Sequence, residues 1–193
     1  HAAVTKQYRE MQDNMEFISI WQNILEITDR TKEELVSTAA DSLVLNYGLD
    51  SFVYIKFHTN DAEVVANTDN KYFDSENLET LRRYFEKNRA SFVTSKMKKN
   101  YNDYKKVLAI FGGDSVCSMI CNPYYTDEKL DSLFISCIYV KNNWTSKNRN
   151  YLMDESELNV FNLLLRQLLI AIDKIENINE IRLINNKLRK SSV

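Results

Sequence analysis

With 193 residues, 44% of them hydrophobic and 27% charged, the chain has the size of one globular domain with extensions, enough to bury a core without disulfides or metals. Its formal net charge of -2 and pI near 5.8 lack the basic excess of a nucleic-acid or anionic-membrane surface. No apolar run approaches the roughly 18 residues that span a bilayer.

The start at His1, without a Met, leads directly into an amphipathic pattern with no secretory leader, so a cytoplasmic piece of a longer protein is the expectation. Three Gly and one Pro are too few for a turn-rich barrel or sandwich and favour long helices around a sheet. Cys117, Cys121 and Cys137, an odd number in apolar, strand-like segments, read as reduced core thiols rather than a disulfide framework.

Val4 to Thr28 contains no Gly or Pro. Val4, Tyr8, Met11, Met15, Ile18 and Leu25 recur at helical spacing, and Phe17, Trp21, Ile24 and Thr28 form a second stripe. Two apolar faces suit two partners, the domain's body and a second helix, or burial on both sides within one domain. Thr31 to Glu34 is a capping box that opens a second helix through Leu35, Ala39, Leu43 and Tyr47, with Gly48 closing it. Asp50 to Thr59 reads as a strand and Ala62 to Asn67 as its hairpin partner. Asp74 to Asn88 is helical, Ser91 to Thr94 a short strand, and Lys96 to Lys106 a basic, tyrosine-rich helix or loop before Gly112-Gly113.

Ser115 to Tyr125 and Ser132 to Lys141 read as strands joined by an Asp127 to Asp131 hairpin loop. After a polar linker, 141–150, a long helix begins near Asp154, with Phe161, Leu165, Leu168, Ile172 and Ile175 on one seam. Beyond Ile175 the apolar stripe of Ile178, Ile181 and Ile184 rotates around the helix, as expected where it leaves the domain. The predicted class is therefore α+β, an antiparallel sheet with helices packed on one face and a looser cover on the other. Three segments are expected: a connecting or dimerisation helix at 1–30, a sensor body at 31–175 and a helical signalling extension at 176–193.

The hairpin Ser115-Val-Cys-Ser-Met-Ile-Cys with Leu133-Phe-Ile-Ser-Cys-Ile-Tyr-Val, and the closing pattern Tyr151-Leu-Met-Asp-Glu-Ser-Glu-Leu-Asn-Val-Phe then Leu164-Leu-Arg-Gln-Leu-Leu-Ile-Ala-Ile, resemble GAF domains. These are sensory modules of signalling proteins such as bacterial diguanylate cyclases and histidine kinases. The likeness runs from about Thr31 to about Ile175 and departs from the family where its usual glycine entering the last strand is replaced by Ser132 or Leu133. The related PAS fold fits the two leading helices and late hairpin less well. The resemblance implies a non-catalytic domain that binds a small molecule, dimerises through its terminal helices and signals to an output domain. The alternative is a ligand-free dimerisation scaffold.

Several residues invite sharper chemistry. His58 has no second histidine near it in sequence, so neither a zinc site nor a partnered base is expected there. Cys117 and Cys121, four apart on a strand, are expected on one side, with Cys137 on the neighbouring strand. No Cys-His neighbours occur, which argues against bilin attachment as the resemblance would place it, and a reductase of the GAF-fold methionine-sulfoxide type would need reactive cysteines.

Phe111-Gly-Gly-Asp-Ser115 approaches a diguanylate cyclase signature but carries Ser115 where the decisive Glu belongs. Asn148-Arg149, Tyr151 and Asp154-Glu155 only imitate the dispersed cyclic-nucleotide pattern of such domains. No cofactor, metal or nucleic-acid partner is expected, nor membrane contact. In the first strand Val53, Ile55 and Phe57 form an apolar face, while Phe52, Tyr54, Lys56 and His58 mix aromatic and polar groups as a small-molecule pocket requires. Cys117, Met119, Cys137 and Tyr139 are expected to share that second side.

Overall fold

The computed structural model describes residues 2–27, 29–94, 101–140 and 153–192, with side chains from 13 onward apart from those of 101–103. Contacts divide the chain into two compact units, one of 1–39 with 164–193 and one of 40–163.

In the first unit, helix α1 (Ala2–Glu26) and the helix begun at Leu164 are linked by a buried indole, since Trp21 Nε1 donates to the Leu164 carbonyl at 3.2 Å. Trp21 is fully buried and lies 6.0 Å, centroid to centroid, from Phe17. The expected second stripe thus contains the buried pair, whereas Met15 of the first stripe is 62% exposed. Helix α2 (Lys32–Ser42) opens as the capping box requires, with the Glu34 N–H donating to Thr31 Oγ1. Lys32 pairs with Glu176 at 3.3 Å.

The second unit is built on a five-stranded, fully antiparallel sheet of order β2-β1-β5-β4-β3. The π-helical turn Leu43–Tyr47 ends at Gly48, whose φ of 99° allows the left-handed turn into β1 (Ser51–Phe57). Strand β2 (Ala62–Asn67) returns as a hairpin, with a register shift between Tyr54 and Ile55. Helix α3 (Ser75–Lys87) is capped by Asp74, which accepts the Asn77 N–H, and leads to β3 (Phe92–Val93). Helix α4 (Tyr101–Ile110) precedes the Gly112-Gly113 turn. There φ is 127° at Gly112, and a Cβ would meet Ser115 Oγ at 2.5 Å, so this motif has a conformational reason of its own.

Strands β4 (Val116–Thr126) and β5 (Lys129–Tyr139) correct one expectation. The loop foreseen over Asp127 to Asp131 is a two-residue turn. Asp127 and Glu128 take φ of 50° and 66°, and the ladder resumes at once with Thr126 opposite Lys129. This is the doubly left-handed turn whose twist matches that of a hairpin. The run of charged residues concealed it, although Lys129 and Asp131 alternate with buried Leu130 in a strand pattern.

Helix α5 (Glu155–Ser191) begins where expected. Asp154 accepts the Glu157 N–H and the Ser156 hydroxyl, bonds that hold its carboxyl below the ordinary value. Within the second unit the sheet is covered on both sides. Val53, Ile55, Phe57, Met119, Cys121, Leu133, Ile135 and Cys137 share one core with Leu81 and Phe85 of α3 and Val107 of α4. On the other side the first turns of α5 and the π-helical turn meet, Tyr47 and Phe161 lying edge to face at 4.9 Å. The expected linker, the basic residues Lys96 to Asn100, and Asn148, Arg149 and Tyr151 lie outside the described residues.

A polar corner on the sheet face beneath helices three and four

Residues opposite one another in a ladder share a face. The register therefore divides the expected pocket residues into two groups rather than one. Val53 stands opposite Ile135, and Ile135 opposite Cys121; Met119 stands opposite Cys137, and Tyr139 opposite Val116, all on the α3–α4 side. Phe52 stands opposite Ser136 and Tyr54 opposite Phe134, on the other side. Both aromatics are buried there, Tyr54 stacking on Phe134 at 4.4 Å and Phe52 at 5.9 Å.

Met119, Cys137 and Tyr139 therefore do not join Phe52, Tyr54 and Lys56; they join Val53, Ile55 and Phe57, which β1 alone suggested to be a purely structural face. Simple alternation would set Cys117 beside Met119 and Cys121. A bulge between Val116 and Ser118 leaves it without a ladder partner and undoes the argument that placed it with Cys121. Lys56 and His58 lie at the far end of the sheet, lining an open groove of about 520 Å³ with Arg82 and Asp131. Lys56 is held there by both carboxylate oxygens of Asp131, at 2.7 and 2.8 Å. His58 follows the strand, half exposed, 3.7 Å from Glu63.

The α3–α4 face carries a polar corner where β1 starts and β5 ends. Asp69 accepts from Ser51 Oγ at 3.0 Å and from the Tyr139 hydroxyl at 2.6 Å, and pairs with Lys71 Nζ at 3.1 Å. Lys71 Nζ also lies 4.8 Å from the centre of the Tyr139 ring. The arrangement is set by the turn after β2. There Asn67 brackets Lys71, accepting its N–H and donating to its carbonyl, and Asn70 adopts a φ of 53°. Tyr139 is fixed from the other side, because its N–H donates to Asp50 Oδ2 at 2.8 Å.

Electrostatics follow the geometry. Burial alone would raise Asp69, but the bonds from Tyr139, Lys71 and Ser51 outweigh it and hold the carboxyl below its ordinary value. Burial alone would lower Lys71, yet Tyr139 and Asp69 hold it above. Burial and the bond to Asp69 push Tyr139 up. Cys137, opposite Ser51 in the ladder, is pushed up to about 12 by burial, and burial also drives Cys121 well above the thiol range.

Around this corner the apolar surface is incompletely covered: Phe73, Ile110, Val116 and Tyr139 are partly buried against the core, with Phe73 packed on Phe111 at 5.8 Å. A few convergent polar groups beside apolar walls is the composition of a small-molecule site. Of the residues on this face, sequence reasoning singled out Tyr139, Cys137 and Met119 but not Asp69, Lys71 and Ser51. Ser51 was findable, since it has the parity of Val53 and Ile55. Asp69 and Lys71 lie in a turn, where no periodicity says what they reach. Among the described residues no group of three metal-ligating side chains is assembled, and no described helix is long and apolar enough to cross a membrane.

No protein-family model matches the sequence, and no curated protein matches it either. Solved structures do. The phycoerythrobilin-bound GAF domain of a cyanobacterial phytochrome is similar with a TM-score of 0.57 at 15% identity, over 86% of this chain and 99% of that one. The GAF domain of A. aeolicus nlh2, in an inactive state, gives 0.55 at 13% identity over 86% and 98%. A fragment of a methyl-accepting chemotaxis protein gives 0.55 at 12% identity over 82% and 98%. The fold expected from the hairpin and closing-helix patterns is thus the one found: this chain has the fold of a GAF domain.

Proposed function

We propose that the chain is a non-catalytic, cytoplasmic sensor domain that binds a small molecule on the α3–α4 face of its sheet and relays occupancy through α5. The observation that carries this reading is the Asp69–Tyr139–Lys71 corner beside the partly covered apolar residues Phe73 and Val116. Charged and hydroxyl groups half-withdrawn from water at the rim of an apolar face contribute little to folding for their desolvation cost, and are explained by a ligand they orient.

Tyr139 keeps its place in the proposed site, with Met119 and Cys137 fully buried in the core behind the same face, whereas Phe52 and Tyr54 pack against Phe134 on the opposite side. The phytochrome relative holds its ligand, a bilin, in a domain of this fold; the present chain lacks the Cys-His neighbours that the resemblance would require for bilin attachment.

In this reading 1–30 connects and dimerises, 31–175 senses, and 176–193 extends the signalling helix toward an output domain. A ligand acts only through its differential affinity for two arrangements of that helix. A screen of nucleotides, amino acids and small acids by thermal shift tests the binding step. A true ligand at 100 times its dissociation constant adds about 2.7 kcal/mol of stability, and Tyr139→Phe weakens the effect. A screen in which nothing raises Tm would leave the second reading, a ligand-free dimerisation scaffold. What favours that alternative is α5 itself, which leaves Ile181, Leu183, Ile184 and Leu188 each at least half exposed. Light scattering decides the dimer part, a single-chain mass at micromolar concentration being the result that sinks it.

A further inference from the structure

We propose that the Asp69–Lys71 pair selects a small zwitterion, a ligand with an ammonium and a carboxylate on one carbon and an apolar side chain. This rests on the sensing reading and names its ligand class.

Charge balance in a half-buried site singles out this class. The side chains of Lys71 and Asp69 keep only 18% and 26% of their surface, so neither is free to be solvated alone. A singly charged anion bound to Lys71 would have to displace Asp69 and leave that carboxylate uncompensated beside it. A singly charged amine on Asp69 would leave Lys71 in the same position. Stranding one member of a withdrawn pair is the costly outcome. A zwitterion avoids both: its ammonium takes the position of Lys71 Nζ at Asp69 Oδ2, and its carboxylate receives Lys71 Nζ. The exchange replaces one ion pair by two and leaves the local charge unchanged.

The remaining groups are placed to assist. The Tyr139 hydroxyl, 2.6 Å from Asp69 Oδ2, can turn its proton to the incoming carboxylate, while Ser51 Oγ stays on Asp69 Oδ1 at 3.0 Å. The other charge at this end, Asp50, is occupied by the Tyr139 N–H and caps the strand. The ligand's side chain is left facing Phe73, two residues from Lys71, and Val116, opposite Tyr139 in the ladder; both are apolar and incompletely buried. A polar or charged side chain would gain nothing there.

The test is isothermal titration of the full chain with L-leucine and L-phenylalanine. The comparison probes each lack one charge: N-acetyl-L-leucine and 4-methylpentanoate without the ammonium, L-leucinamide and isoamylamine without the carboxylate. The expected result is binding of the amino acids, at least about tenfold weaker for every singly charged probe, the order lost with one charge-assisted hydrogen bond. Asp69→Asn and Lys71→Met should each weaken L-leucine at least tenfold, with far-ultraviolet circular dichroism unchanged. Tyr139→Phe, which keeps the ring, gives a second variant should either charge change impair folding.

A singly charged probe that binds as well as L-leucine, and responds to Tyr139→Phe, would overturn the zwitterion class while leaving the sensing site in place. Amino-acid binding indifferent to all three substitutions would overturn the site assignment. Absence of binding by all six probes would overturn the inference, and the wider thermal-shift screen then decides the sensing reading separately.

Discussion

Tyr139 and Asp69 come from opposite ends of the sheet-forming sequence, 70 residues apart, and their side chains meet at 2.6 Å. The bond joins the last residue of β5 to the turn after β2, two strands that flank β1 without touching each other. It therefore ties three strands at one edge, and Lys71 doubles the tie.

The pH response of this corner has a fixed sign. Asp69 has a lowered pKa in the folded state, so its contribution is present above the unfolded value near 3.8 and is lost as pH falls through the folded value. Lys71 and Tyr139 are raised from 10.5 and 10.0, so theirs are present below those values and lost as pH rises above them. Thermal melts of the wild type and Asp69→Asn should differ by a constant amount across neutral pH and converge in acid below 3.8. Melts of the wild type and Tyr139→Phe should converge above 10.0. A difference that persists unchanged through the acid range would show that Asp69 acts through packing, not charge.

The cysteines offer a test of strand register. Cys121 and Cys137 are fully buried, with thiols raised by that burial, whereas Cys117 at the bulge is partly exposed. One thiol per chain should react with a disulfide reagent in the native protein, and two more only on unfolding. Cys117→Ser should remove the fast phase completely. Two fast thiols would mean that the β4 bulge is misplaced and that Cys121 faces outward.

How far the sequence was legible is decided by local rules. Helix starts were readable because capping is local: Thr31, Asp74 and Asp154 each accept the N–H three residues on. Strand existence was readable from alternation. What could not be read was the side on which neighbouring strands place their residues. That depends on the β1–β5 register, which sets Ser51 opposite Cys137 and Val53 opposite Ile135, and for Cys117 on the bulge between Val116 and Ser118. The candidate corner was legible only in part. Its strand residues Tyr139 and Cys137 stood out in the sequence, whereas Asp69 and Lys71 reach it from a turn whose path is set by the Asn67 bracket on Lys71.

On the opposite face, Asn162 gathers three hydrogen bonds within the second unit. Its side-chain oxygen accepts from Ser91 Oγ at 3.0 Å and Asn122 Nδ2 at 2.8 Å, and its carbonyl accepts from the Tyr124 hydroxyl at 3.1 Å. Asn122 is fully buried, and its Oδ1 is already without a hydrogen-bond partner among the described residues. Asn162→Ala would strip the amide nitrogen as well, leaving a buried side chain with neither end satisfied. The expected loss is about 1 to 3 kcal/mol in urea denaturation, from the buried Asn122 amide, since the partly exposed Ser91 hydroxyl can turn to water. Asn122→Leu combined with Asn162→Ala should cost less than the single Asn162→Ala change, because the buried amide goes with its partner. Additive losses would show that the clasp is not a coupled unit.

The tight turn between β4 and β5 makes the final prediction, and it is one of gain. Asp127 and Glu128 both hold positive φ, 50° and 66°, and neither is glycine. A side chain in that region costs about 1 kcal/mol, and asparagine and aspartate tolerate it better than glutamate. Glu128 is therefore the strained member. Its carbonyl, not its side chain, accepts the Arg89 guanidinium bond, so the contact survives removal of the side chain. Glu128→Gly should raise stability by at most about 0.5 kcal/mol, about 1 kcal/mol of relieved strain less roughly 0.5 to 1 kcal/mol for the added flexibility of the unfolded chain. Glu128→Val, β-branched at the same φ, should lower it by more than that. If the glycine variant proves less stable than the wild type, the turn is not of the doubly left-handed kind, and β5 begins near Ser132 as the polar sequence alone suggested.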